Sequence, residues 1–159
     1  MSRLDTSLEA AGAEFLVLGN LLIEGIEAHK SYTNFPGYDI MAVDPEKNTS
    51  CRIQVKSRWA TDFDGGFPIR NLDCDFVVFV ALNRGYRYRR KLTEESAGRG
   101  KPSFYVFPIK VIEDARDPDN AWGKVFLKHI EDSDKYISAW KAVREFLSAS
   151  RTASVSSRT

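Results

Sequence analysis

The stretch DFVVFVAL, residues 75–82, constrains this chain most. It is apolar at nearly every position and has the length of a strand. A strand with one wet face alternates apolar and polar residues, so this one reads as a central strand covered on both faces. The chain must therefore supply material for two sides of a sheet.

The flanks supply it. Residues 6–9, TSLE, form a capping box with Thr6 as N-cap and Glu9 three residues later. Leu8, Ala11, Phe15, Leu18, Leu22 and Ile26 then recur at spacings of three and four, which predicts a helix ending near His29 to Ser31, before NFPG. Leu16, Val17, Leu21 and Ile23 widen its apolar surface, so the helix should be covered on more than one side. After it the period changes to two: Tyr38, Ile40 and Ala42 against Asp39, Met41 and Val43. DPEKNTS is a turn. Residues 51–59 form a second strand, with Cys51, Ile53, Val55 and Ser57 on one face and Arg52, Gln54, Lys56 and Arg58 on the other. Residues 60–74 read as a loop, FYVFP (104–108) as a short strand, KVIEDA as a short helix and KVFLKH as an edge strand. In residues 134–147, Ile137, Trp140, Val143 and Leu147 predict a closing amphipathic helix. The expected fold is α/β: a mixed central sheet flanked by an N-terminal and a C-terminal helix. Residues 1–149 make one domain, and the Ser/Thr-rich residues 150–159 make a disordered tail.

Composition sets limits without naming a partner. With 43% hydrophobic residues the chain can bury an ordinary core, and a net charge of +1 leaves nucleic acid possible if basic residues cluster. Cys51 and Cys74 lack CxxC spacing and read as buried free thiols. No secretory leader pattern and no run of about 18 apolar residues is present, which predicts a cytoplasmic protein without a membrane span. No Gly-rich phosphate loop follows a strand.

The chemistry concentrates in the hairpin. If its turn lies near residues 45–49, Asp39 falls opposite Gln54, with Lys56 one same-face step further; a slip of one residue would separate them. Asp39 shares its face with Met41 and Val43, where a carboxylate needs a partner. On a helical wheel Glu14 is the acid of the first helix best placed to look toward the sheet. Glu14, Asp39, the Gln54 side-chain oxygen and the Val55 carbonyl would make an all-oxygen setting suited to Mg²⁺ or Mn²⁺. Lys56 could orient a water and offset charge on a phosphorane-like transition state. Arg52 and Arg58 share the polar face, and Arg84, Arg87, Arg89 and Arg90, with Tyr86 and Tyr88 among them, form a basic segment suited equally to nucleic acid or to a charged surface hairpin.

Asp39 followed by Gln54-Val55-Lys56, after a helix bearing Glu14, resembles the PD-(D/E)XK nuclease superfamily, and within it the restriction-endonuclease-like and Holliday-junction-resolvase-like proteins. The resemblance covers roughly residues 8–147. It implies a metal-dependent endonuclease acting on DNA, with Asp39, Gln54, Lys56 and Glu14 as site residues. Two positions depart from the motif: Tyr38 stands in place of proline, and Gln54 in place of the second acid, which removes a charge from the metal site. The alternative implied by Gln54 is a nucleic-acid-binding or structural protein of the same fold without cleavage, alone or as one part of a defence or toxin system. A chain of this size has no separate recognition domain, so a homodimer or a helper protein would supply specificity.

Overall fold

Gly25 decides where the first helix stops. In the computed structural model, which describes residues 6–31, 38–63, 65–86, 98–117, 119 and 123–156, α1 runs Thr6–Ile23. Gly25 takes a left-handed backbone with φ 80°. Its N–H donates to the Leu22 carbonyl (3.0 Å), and the Ile26 N–H donates to that of Leu21 (2.9 Å). These are the two bonds of a Schellman termination, with buried Leu21 and Ile26 as its hydrophobic contact. The helix therefore ends several residues before His29, and β1 (Glu27–Lys30) occupies the segment that periodicity assigns to the last helical turn.

β2 (Ile40–Asp44) and β3 (Thr49–Arg58) form the expected hairpin. Asp44 Oδ1 accepts from the N–H groups of Glu46 (3.1 Å) and Lys47 (3.2 Å), and Asn48 closes the turn at φ 55°. The loop after β3 contains a short strand, β4 (Gly66–Pro68), not seen in the sequence. β5 (Phe76–Ala81) is buried at every residue. β6 (Ser103–Pro108), α2 (Ile109–Ala115) and β7 (Lys124–Phe126) follow, and α3 (Lys141–Ser156) closes the described chain.

The main sheet has the order β1-β2-β3-β5-β6, with β4 and β7 forming a separate pair. Among the described residues, β3 and β5 are parallel and the other neighbours in the main sheet are antiparallel. α1 and α3 cover one face, where Ala13, Val17, Leu21, Ile53, Val78, Trp140 and Val143 pack. The β4–β7 pair and α2 cover the other, where Phe67 stacks on Phe79 (4.8 Å, 13°) and Ile112 and Val125 are buried. The architecture is thus α/β, a mixed sheet between N- and C-terminal helices, and β5 has the two-sided burial its sequence demands.

The closing helix starts later than its pattern suggests. Ser138 is left-handed (φ 52°) and its N–H donates to the Phe104 carbonyl (2.7 Å). Ile137 bridges to Tyr105 and stays exposed, so residues 133–140 run as an irregular strap across β6 before α3 begins at Lys141. At its other end α3 runs to Ser156. Both cysteines are free and buried; burial above all pushes both thiols up, Cys74 to about 12.

Candidate metal and nucleic-acid site

β3 changes partners along its length. β2 pairs with Thr49–Ile53 on one edge, whereas β5 pairs with Ile53–Arg58 on the other. Past Ile53 the β2 edge of β3 has no regular ladder, and Asp39 fills the first place. Its N–H donates to the Ile53 carbonyl (2.8 Å), and its side-chain Oδ2 accepts the N–H of Val55 (2.8 Å). The regular pairing ends at Ile40↔Ile53: the Asp39 N–H donates to the Ile53 carbonyl, not to that of Gln54, so the ladder is irregular at Asp39. Gln54 and Lys56, both partly buried, share one face of β3 two residues apart, and Asp39 meets the strand at Val55.

At the opposite edge and end of β3, Asp75 makes the corresponding bond. Its Oδ2 accepts the Arg52 N–H (2.8 Å), and its own N–H donates to the Arg52 carbonyl (2.8 Å). Each aspartate thus stands in for backbone that the neighbouring strand does not provide.

Glu14 reaches this region from α1. Its carboxyl lies near that of Asp39. Burial, above all, raises the Glu14 pKa above its ordinary 4.5; Lys30 opposes the rise and Asp39 adds to it. Lys30 was not singled out from the sequence, where its segment reads as a helix end. Its Nζ lies 3.1 Å from Glu14 Oε2, and the two side chains are 15% and 21% exposed. The same ammonium sits 4.4 Å from the Phe15 ring centroid. The signal that could have found it is Gly25, which ends the helix and leaves EAHK as a two-period strand.

The structure therefore places Glu14 near Asp39, and Asp39 against the backbone of Val55, which lies between Gln54 and Lys56 on β3. Among the described residues no group of three His, Cys, Asp or Glu side chains is placed to hold a metal ion. The oxygen donors here are two carboxylates and an amide. Gln54 Oε1 is buried with no hydrogen-bond partner. A buried carbonyl oxygen left in that state costs about 1–3 kcal/mol, and a hard cation is one ligand that would satisfy it. The donor set thus fits a divalent ion of the Mg²⁺ type, with less negative charge than three carboxylates would supply.

The flanking basic residues divide. Arg52 is tied to Asp73 (2.8 Å) and lies 3.7 Å from Asp75. Arg58 Nε donates to the Gly66 carbonyl (2.8 Å), linking β3 to β4. Arg84 is exposed and bridges to Arg99 at the foot of the basic segment, which Thr61 fastens to the end of β3 through Gly85 and Gly98. Arg87, Arg89, Arg90 and Tyr88 lie outside the described residues, as does Trp122. Phe63 and Phe67 pack against Phe79 within the fold. His29 is an exposed residue of β1, not a helix end, and His129 stacks its ring edge against Phe126.

No protein-family model matches the sequence, and no curated protein matches it. Solved structures do. The bacterial homing endonuclease I-Ssp6803I superposes with a TM-score of 0.62 and 22% identity, covering 94% of this chain and 98% of that one. Hjc, a Holliday junction resolvase from Archaeoglobus fulgidus, gives a TM-score of 0.47 and 15% identity over 77% of this chain and 87% of its own. The first match shows a shared fold alone, an α/β architecture of the restriction-endonuclease-like kind.

Proposed function

We propose that this chain is a divalent-metal-dependent phosphodiesterase acting on DNA, with its site where β2 ends against β3. The observation that carries the reading is the unsatisfied, buried Gln54 Oε1, next in sequence to the Val55 N–H that Asp39 accepts. Glu14, Asp39, Gln54 Oε1 and the Val55 carbonyl would hold Mg²⁺ or Mn²⁺. Such an ion, when bound, supplies charge stabilisation at the phosphoryl oxygens and an acidified water. Asp39 is held by its bond to Val55 N–H, so its second oxygen is oriented in advance. Lys56 orients the attacking water and offsets negative charge as the phosphorus becomes five-coordinate. Arg84 and the basic segment beyond it would contact the phosphate backbone.

A second reading is favoured by the donor count and by Lys30. With two carboxylates in place of three and an ammonium already at Glu14, the face can be electrically balanced without an ion. The chain would then bind DNA without cutting it, alone or inside a defence complex. The shared fold is common to both readings, and the lack of a three-residue ligand group among the described residues favours this second one.

The test is cleavage of linear, nicked, branched and single-stranded DNA with Mg²⁺ or Mn²⁺, against EDTA, beside Asp39→Ala and Lys56→Ala. Metal-dependent cutting by the wild type, lost in both variants, is expected. Retained DNA binding with no cutting, unchanged in Gln54→Glu, would establish the binding protein in its place.

A further inference from the structure

α1 is apolar on the side that faces away from its own sheet. Ala13, Val17 and Leu21 are buried against the strands. Leu8, Phe15, Leu16, Leu22 and Ile23 keep between 40% and 85% of their surface in solvent. At about 100° per residue these five, with Gly12 and Gly19 among them, centre about 160° from the buried stripe. A helix apolar all round is normally buried all round, and here one chain covers only half of it.

The glycines add an independent observation. Gly12 and Gly19 lie inside the helix, where only proline is a poorer helix former than glycine. A Cβ built at either meets nothing within 4 Å, so packing within the chain does not require them. They do leave a shallow groove along the centre of the exposed face, into which another backbone could settle.

The order of the residues points to what settles there. Leu8, Gly12, Phe15, Leu16, Gly19 and Ile23 are separated by four, three, one, three and four positions, so the pattern reads alike in both directions. Laid antiparallel on a copy of itself about a two-fold axis between Phe15 and Leu16, the helix sets Leu8 opposite Ile23 and Gly12 opposite Gly19. No acid meets an acid, since Glu9 falls opposite Leu22 and Glu14 opposite Val17. The five exposures amount to about three wholly exposed large side chains, on the order of 500 Å² per copy at roughly 150–250 Å² each. Two copies then bury about 1,000 Å², the lower bound of a specific interface. A lipid surface fits less well: α1 carries Glu9 and Glu14 and no basic residue, whereas interfacial helices carry Lys and Arg.

We propose that the outward face of α1 is an antiparallel, two-fold interface with a second copy of this chain. It holds whether or not the chain cuts DNA.

The experiment is light scattering with size exclusion on the full chain and on a Gly12→Gln/Gly19→Gln protein. Both glutamines project into open space in one chain, so its circular dichroism should match wild type while the groove is filled. A paired wild type and a single-chain variant are expected; a single-chain wild type, or a variant that still pairs, overturns the proposal. Register is tested separately by mixing Leu8→Cys and Ile23→Cys proteins under oxidation. Efficient crosslinking in the mixture, and not in either alone, is expected. Crosslinking of Leu8→Cys to itself would refute the antiparallel arrangement, and a single-chain wild type that co-floats with lipid vesicles would assign the face to membrane.

Discussion

Replacing Lys30 with methionine keeps most of the side chain's length but removes the charge beside Glu14. Breaking a buried ion pair by deleting one partner costs about 3–5 kcal/mol, because the other charge is left uncompensated. Here the side chains remain 15% and 21% exposed, which trims the expectation to about 2–3 kcal/mol at neutral pH. Its pH dependence has a definite sign. A carboxyl whose folded pKa lies above its unfolded value contributes stability that is present below the unfolded value, near 4.5, and lost as pH rises through the folded one. Burial raises Glu14 and Lys30 holds it down, so Lys30→Met raises it further, and the deficit should grow from pH 4.5 toward neutrality. Beside Asp39 the variant then has two adjoining carboxylates and no cation. Mg²⁺ should restore stability to it more than to wild type, by the binding free energy the ion gains there. Urea unfolding at pH 4.5 and pH 7, each with and without Mg²⁺, reads all of this. An equal deficit at both pH values with no effect of Mg²⁺ would refute the electrostatic account and leave only lost packing on Phe15.

Gln54→Glu adds a charge to the donor set and should tighten Mn²⁺ binding by roughly tenfold, about 1.4 kcal/mol, in isothermal titration; unchanged affinity would remove Gln54 from the site. Gly25→Ala should cost about 1–2 kcal/mol in denaturant unfolding, since alanine resists a left-handed backbone. Its Cβ would meet only Arg144 Nη2, at 3.7 Å, so a larger loss would point to something other than backbone strain. Phe67→Ala should destabilise by about 3–5 kcal/mol in thermal melts, because it empties the stack on Phe79; a loss below about 1 kcal/mol would contradict that packing role.

Much of this fold is legible locally. The apolar run ending at Leu82 admits few alternatives, and the Asp44–Asn48 turn fixes the hairpin register through short-range hydrogen bonds. That register brings Asp39 to the edge of β3, where it accepts the Val55 N–H between Gln54 and Lys56. What misleads is periodicity carried past a stop signal. Leu22 and Ile26 fit a helical spacing, yet Gly25 lies between them, and its left-handed backbone makes Ile26 the cap contact of a finished helix. Missing that turn hides β1 and with it Lys30. Ile137 fails for a different reason: its spacing is helical, but the long-range bond from Ser138 to Phe104 overrides it. The orientation of α1 was also beyond a wheel, since both of its faces are apolar and only the sheet selects Ala13, Val17 and Leu21.

The paired aspartates of β3 bear on how mutations at this site are read. Asp39 and Asp75 each accept a β3 backbone N–H at 2.8 Å, one on each edge of the strand. Loss of function in Asp39→Ala would therefore mix missing chemistry with a loosened strand junction. Asp75, anchored to Arg52, offers an internal yardstick for the second component. Unfolding of Asp75→Ala measures what such a clasp is worth when no reaction is in question. Whatever Asp39→Ala loses beyond that yardstick belongs to the site.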